Sequence, residues 1–172
     1  AKQFNRGMLL NIGFKYAIKY KCDYVVFHDI DMLPLEVDYS YSDKPIHMAT
    51  KFISKFGEED RDIFDEYFGG VTMFPVGDFQ KINGYSNKYW AWGYEDNELN
   101  RRVIESGIRL DRSQFYPILD KNILQLQDGF GRVVNRSEFD VYRGITKEGI
   151  TSISKLEYTI IEDTGFVDVT AF

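Results

Sequence analysis

A single cysteine, Cys22, stands in a chain of 172 residues. One thiol forbids an internal disulfide and mildly favours a reducing compartment. Long apolar runs are also missing: none approaches the roughly 20 residues of a membrane span, and none resembles a signal-peptide core. Positive charge is scarce, with 21 Lys and Arg against 27 Asp and Glu and a net charge of -6. That balance argues against a nucleic-acid backbone or an anionic membrane as the main partner. The two histidines, His28 and His47, lack ligand spacing and read as structural. There is no Ser–His–Asp or Cys–His arrangement, no P-loop, no repeat and no low-complexity tract. The chain opens on Ala1 rather than methionine, so it reads as one domain over residues 1–172, truncated at its N-terminus.

Aromatic residues are abundant: 14 Phe, 12 Tyr and 2 Trp. Most should form core, and some could offer flat faces to sugar rings. Apolar spacing predicts a helix over Asn5 to Tyr20, with Leu9, Ile12, Tyr16 and Tyr20 on one side. Y-V-V-F-H, Tyr24 to His28, predicts a buried strand. Further strands are expected over His47 to Phe52 and Phe68 to Phe74, with short ones over 108–112 and 122–127. Glu95 to Ser106 predicts a helix with Leu99, Val103 and Ile104 inward and Gly107 as its stop. Leu156 to Val169 predicts a strand pair turning near Asp163 to Gly165. Helices alternating with buried strands argue for an α/β or mixed α+β domain.

Two D-x-D triplets occur, D-I-D at Asp29 to Asp31 and D-R-D at Asp60 to Asp62, against about 1.5 expected by chance from 16 aspartates. Only the first follows a predicted strand, where α/β sheets present their ligand sites. Adjacent acids there repel one another unless a cation or donors neutralise them, and oxygen ligands of this kind suit Mg²⁺ or Mn²⁺. W-A-W-G-Y-E-D-N-E, residues 90–98, sets Trp90 and Trp92 ahead of Glu95, Asp96 and Glu98. Anions at a helix start are stabilising without any function, by about 0.3–1 kcal/mol each. Caps do not explain the tryptophans, which could cover a sugar or donate to a phosphate. The helix dipole should hold the acids ionised while their mutual repulsion raises at least one pKa. An ionised Asp near an acceptor hydroxyl could serve as general base. Adjacent glycines in F-G-G-V, Phe68 to Val71, suggest a close approach of backbone to another group, or a bulge.

Taken together and in order, F-N-R-G-M-L-L-N-I-G-F, F-H-D-I-D-M-L-P, K-F-G, Y-F-G-G-V and K-I-N-G-Y-S-N-K-Y-W-A-W-G-Y-E-D resemble the β-1,4-galactosyltransferases. The resemblance implies a GT-A nucleotide-diphospho-sugar transferase fold, here without its first nucleotide-binding strand. It implies metal-dependent, inverting transfer of galactose or a related hexose from a UDP-sugar to a glycan hydroxyl. By the same resemblance Asp31 holds Mn²⁺ (or Mg²⁺) and Asp29 lies beside the nucleotide. Phe4, Arg6 and Lys55 approach the UDP, and Gly70 touches the donor sugar. Tyr67 goes with galactose rather than N-acetylgalactosamine. Trp92 closes over donor and acceptor, and Glu95 and Asp96 hold and deprotonate the acceptor, with Asp96 as base. Phe139 and Asp140 match the acceptor pocket.

The pattern also departs from the family. An M-x-x-H metal element is replaced by L-Q-L-Q, leaving Leu124 and Gln127 at the matching positions, with Gln127 as the remaining ligand. The upstream strand with its P-x-R-x-R segment is absent, and Glu138 stands where the family has arginine. The disulfides of secretory-pathway members are impossible, which favours a bacterial or viral cytosolic enzyme, with the Golgi lumen as the alternative. The competing readings are an N-acetylgalactosaminyl or glucuronyl transferase of the chondroitin-polymerase type, and a catalytically silent sugar-binding domain.

Overall fold

The computed structural model describes residues 3–49, 53–54, 68–113, 123–126, 148–155, 158–163 and 167–171. Helix α1 spans Arg6–Ala17, and a 3-10 turn over Ile18–Tyr20 follows it. Asn5 starts the helix by accepting the Met8 N–H on its side chain at 2.9 Å, which satisfies one of the orphan donors of the first turn. The buried face is Met8, Asn11, Ile12 and Phe14, whereas Tyr20, expected inward, is 63% exposed beyond the point where the helix tightens. Asn11 explains the shift of face. Its amide pairs with the backbone of Tyr85 in both directions, at 2.7 and 2.9 Å, so a polar side chain is worth burying there.

Strand β1 runs Tyr24–His28 as the sequence predicts and pairs antiparallel with β5, Val71–Pro75; β3, Ile46–His47, pairs on the other side of β5. Alternation sorts these strands onto two cores. Phe27 and Phe74 point to one face and join Phe14, Phe68, Phe79, Tyr85, Leu99 and Val103. Ile46, Val71 and Met73 point to the other and meet Met32, Met48 and Ile123. Phe27 and Phe79 lie 4.6 Å apart with tilted rings, and Phe27 meets Tyr85 edge-on at 5.6 Å. Each such ring contributes roughly 1.5–3 kcal/mol by burial. Among the described aromatics, Phe14, Phe27, Phe68, Phe74, Phe79, Tyr85 and Tyr89 are buried, so these rings are core.

A second sheet has β6, Ile123–Gln125, between β2, Met32–Pro34, and β4, Ile53–Ser54. A hairpin of β7, Tyr158–Asp163, and β8, Val167–Ala171, bears out the expected terminal strand pair. Residues 108–112, expected as a strand, form only an isolated bridge between Asp111 and Ile46. The strand expected from His47 stops there among the described residues, because Met48 and Ala49 turn to give both their N–H groups to the Val71 carbonyl. Between β5 and the next long helix lies α2, Val76–Lys81.

Helix α3 spans Glu95–Glu105 and buries Leu99 and Val103 completely. Ile104, expected inward, is 64% exposed, since it lies one residue past the buried stripe. The helix ends as predicted at Gly107, whose φ of 67° allows Gly107 N–H to reach the Ile104 carbonyl and Ile108 N–H the Val103 carbonyl.

Candidate active site

The first D-x-D begins where β1 ends. The Asp29 N–H donates to the Gly70 carbonyl at 2.8 Å, and the Asp29 carbonyl accepts the Met32 N–H at 3.1 Å, closing a tight turn. His28 adds a bond from Nδ1 to the same Asp29 carbonyl at 2.9 Å, while its Nε2 meets the Tyr39 hydroxyl at 3.1 Å. That histidine is structural, as the sequence suggests, yet it braces the acidic turn. Ile30, between the two acids, is fully exposed, so the turn faces solvent. The Asp31 carbonyl accepts the Leu126 N–H at 2.7 Å, and β2 pairs with β6 from Met32↔Gln125 to Pro34↔Ile123. L-Q-L-Q is thus set against D-I-D, although Gln127 itself lies outside the described residues.

The W-G-Y-E-D stretch is built from unusual backbone. Ala91, Gly93 and Tyr94 have φ of 68°, 115° and 75°. For Ala and Tyr this left-handed region costs of order 1–3 kcal/mol each, which the surrounding structure must offset. One tie is visible: the Ala91 N–H donates to the Phe4 carbonyl at 2.8 Å. Tyr94 occupies the helix cap without a side-chain cap bond, and Glu95, Asp96 and Glu98 follow in the first turn, where anions suit the helix dipole. The two tryptophans part company here. Trp90 packs against Met8, Ile12 and Ile153, while Trp92 is 46% exposed. Trp92 is thus the exposed ring of the pair, with Phe4 (64% exposed) tied to its segment through the Phe4 carbonyl, and Trp90 is an anchor.

Arg6 joins the two acidic stretches. Its Nε and Nη2 donate to Asp29 Oδ1 at 2.8 and 2.7 Å, and its Nη1 donates to Asp96 Oδ1 at 2.8 Å, with Glu95 Oε1 at 3.7 Å. The guanidinium also lies over the Tyr85 ring, 5.6 Å from its centroid. One cation faces three carboxylates, and the imbalance shows in the titration. Burial, chiefly, pushes the Asp96 carboxyl up to about 8, with Glu95 and Asp29 adding repulsion that the Arg6 charge only partly offsets. Burial pulls the Arg6 pKa down, but Asp96, Tyr85, Asp29 and Glu95 outweigh it and hold Arg6 well above its ordinary value. The raised pKa expected from sequence falls on Asp96, but burial rather than mutual repulsion is its first cause, and burial outweighs the helix dipole expected to keep this acid ionised. A carboxyl tuned upward in a partly open site is suited to base work near neutral pH.

Behind this acidic centre is a second buried cation that the sequence reading did not single out. Arg102 is fully buried and binds Glu98 through Nε and Nη2 at 3.0 and 2.7 Å, and the Gly84 and Glu148 carbonyls at 3.0 Å each. Its i, i+4 spacing from Glu98 was the available signal. Glu148 in turn accepts from the Asn87 N–H at 2.6 Å, and Asn87 Nδ2 donates to the Gly149 carbonyl at 2.9 Å. N-G-Y-S-N is therefore a braced segment. Gly7 of α1 lies so close to it that a Cβ would sit 2.7 Å from the Ser86 carbonyl oxygen and 3.1 Å from Tyr85 Cβ. That approach carries Arg6, one residue earlier, over Tyr85.

Of the residues expected at the site, Arg6, Asp29, Glu95 and Asp96 converge directly, and Gly70 is bonded to Asp29. Phe4 and Trp92 sit on the tied segments beside them. Lys55, Tyr67, Gln127, Phe139, Glu138 and Asp140 lie outside the described residues, as do Asp60 and Asp62.

Comparison with known proteins gives consistent matches. A family model described as the N-terminal domain of galactosyltransferase matches residues 61–123, and one described as the N-terminal region of glycosyl transferase group 7 matches residues 1–43. Xylosylprotein 4-beta-galactosyltransferase of Caenorhabditis elegans is 37% identical over 110 residues, which cover 64% of this chain and 38% of that protein. Beta-1,4-galactosyltransferase 6 of Rattus norvegicus is 42% identical over 119 residues, covering 64% of this chain and 29% of that protein. The chain thus matches only about a third of the length of these curated relatives. The crystal structure of the catalytic domain of Drosophila β-1,4-galactosyltransferase 7 with xylobiose superposes with a TM-score of 0.72 at 27% identity, over 94% of this chain and 68% of that one. A mutant of the same Drosophila enzyme, complexed with manganese, UDP-Gal and xylobiose, gives a TM-score of 0.70 at 26% identity, with the same coverage of 94% and 68%. The fold is accordingly that of GT-A galactosyltransferase catalytic domains. One expectation is corrected. The bacterial or viral cytosolic location drawn from the lone cysteine conflicts with relatives that are animal proteins. A missing disulfide says what the chain does without, not where it resides.

Proposed function

Because the chain belongs to the β-1,4-galactosyltransferase family, we propose that it transfers galactose from a UDP-sugar to a glycan hydroxyl with inversion at the anomeric carbon. The observation that carries this reading is the meeting of Asp29 and Asp96 on the Arg6 guanidinium, at 2.7 and 2.8 Å. It puts the expected donor-side acid and the expected base in one site, at a strand end and a helix start.

The Asp96 carboxylate takes the proton of the acceptor hydroxyl as that oxygen bonds to the anomeric carbon. The bond from that carbon to the diphosphate oxygen breaks on the opposite face, and UDP leaves with the electron pair. Glu95, buried at the head of α3, holds the acceptor, and exposed Trp92 covers the substrates from the loop side. Gly70 offers its backbone to the donor sugar next to the Asp29 turn.

Among the described residues no group of three or more His, Cys, Asp or Glu side chains could hold a metal ion alone. The Asp31 carboxylate on an open turn nevertheless fits a hard cation that takes most of its ligands from diphosphate and water. Asp31 would hold Mn²⁺ or Mg²⁺, with Gln127 as a further ligand, and when bound the ion neutralises charge on the leaving diphosphate. The Drosophila complex with manganese, UDP-Gal and xylobiose supports this choice of cofactor and donor. The same complex and the nematode xylosylprotein relative support a xylose-terminated acceptor.

The test is incubation of the protein with UDP-galactose, Mn²⁺ and either a β-xyloside or an N-acetylglucosaminide, with product linkage read by NMR. A β-galactosyl xyloside is expected, with little product when Mn²⁺ is chelated. No UDP release with any acceptor would overturn the reading. Tyr67→Leu should raise the rate with UDP-N-acetylgalactosamine relative to UDP-galactose if the tyrosine limits space at the sugar C2 position.

A further inference from the structure

The Arg6 guanidinium joins acids that the fold supplies from separate segments. Nε and Nη2 both bind Asp29 Oδ1, Nη1 binds Asp96 Oδ1, and the plane rests over Tyr85. Its side chain is 17% exposed, and its partners come from separate segments: the turn after β1, the first turn of α3 and the N-G-Y-S-N segment. Asn5 and Gly7 on either side fix the start of α1, the first by capping it and the second by seating it on residues 85–86. The group is thus held from its backbone outward.

We propose that Arg6 is a positioning residue for transfer: its planar fork aims the Asp96 carboxylate and joins it to Asp29, registering the acceptor side of the site against the donor side. The inference rests on the reading of Asp96 as base given above. Among the described residues, the charged groups that act most on Asp96 are Arg6, Glu95 and Asp29, and Arg6 is the counter-charge of the three. Two nearby carboxylates otherwise repel Asp96 and would turn or protonate it. Lysine cannot replace the fork, because a point charge on a flexible stem cannot reach Asp29 and Asp96 with fixed geometry at once.

The variants are Arg6→Gln and Arg6→Lys, with Asp96→Asn used to assign the Asp96 signal. In the substrate-free, metal-free protein, ¹³C NMR of labelled aspartate should show Asp96 titrating at higher pH in Arg6→Gln than in the parent, and by a smaller margin in Arg6→Lys. In steady state both variants should lose about 10–100-fold in kcat, the scale of a misaimed catalytic group. The acid limb of kcat should move to higher pH in Arg6→Gln, with UDP-galactose affinity nearly kept. An unchanged Asp96 titration and acid limb, with donor affinity reduced tenfold or more, would overturn the proposal and leave Arg6 a donor contact. Should Arg6→Gln fail to fold, Arg6→Lys decides by the same split between kcat and donor affinity. A parent that transfers no sugar sinks the proposed function, whereas the titration still decides whether Arg6 governs Asp96.

Discussion

As the proposed base, Asp96 meets two demands that pull apart, since a base must be ionised and a buried carboxyl beside Glu95 and Asp29 resists ionisation. Asp96→Asn separates them. Turnover should fall about 10²–10⁴-fold because an amide accepts no proton, with UDP-galactose affinity kept, as kinetics beside calorimetry would show. Its stability carries a signed pH dependence. A carboxyl whose folded pKa is raised to about 8 stabilises most below its unfolded value, and that contribution is lost as pH rises toward 8. The melting temperature of Asp96→Asn relative to the parent should therefore climb between pH 5 and pH 8. The metal side is tested by Asp31→Asn, which should abolish Mn²⁺-stimulated donor binding in calorimetry, while Asp62→Asn should leave it intact. The acids were legible because carboxylates at a strand end and a helix start are chemically conspicuous. The Arg6–Asp96 pair was not, since 90 residues separate partners that only the tertiary fold brings together.

Elements set how closely these residues can meet. Gly7 and Gly13 both lie in α1, yet only Gly7 is pressed against another segment; nothing lies within 4 Å of a Cβ at Gly13. Gly13→Ala should stabilise by about 0.5–1 kcal/mol through helix propensity, with activity unchanged. Gly7→Ala should instead destabilise by about 1–3 kcal/mol, because the Ser86 carbonyl is backbone and cannot simply swing aside. It should also lower kcat, as α1 backs away and the Arg6 fork loses reach; denaturant melts and initial rates read the two effects. The period of α3 and the unbroken apolar run of β1 announced those elements. Short ones such as β2 and α2 did not, because three or six residues hold too little periodicity to distinguish them from turns. Trp90 and Trp92 looked alike in sequence because neighbouring rings share composition, and only packing sends one to Met8 and the other to solvent.

Across the whole molecule, the central sheet is wedged between two cores, and His47 sits at its far edge as a neutral strut. Its Nε2–H donates to the Gly69 carbonyl at 3.0 Å, and its Nδ1 accepts from Arg112, an arrangement only the uncharged ring can make. Burial first, and then Arg112, depress its pKa to about 3. A histidine depressed in this way contributes stability above about pH 6.5, and the contribution is lost as pH falls toward 3. His47→Gln can keep both bonds without gaining a proton, so its acid unfolding should begin at lower pH than the parent's in a pH-dependent melt. The pairing of β1 with β5 has a consequence for how such a chain can vary. His28 is registered with Val71, and the next residues, Asp29 and Gly70, are joined by one hydrogen bond. Substitutions nearby can retune the proposed donor pocket one side chain at a time. A single-codon insertion or deletion between Phe68 and Val71 cannot, because it slides the glycine past the acidic turn and reverses which face each β5 side chain meets. Length at this joint should be fixed wherever the activity persists, and a library of insertions through residues 68–71 should yield no variant that still binds UDP-galactose.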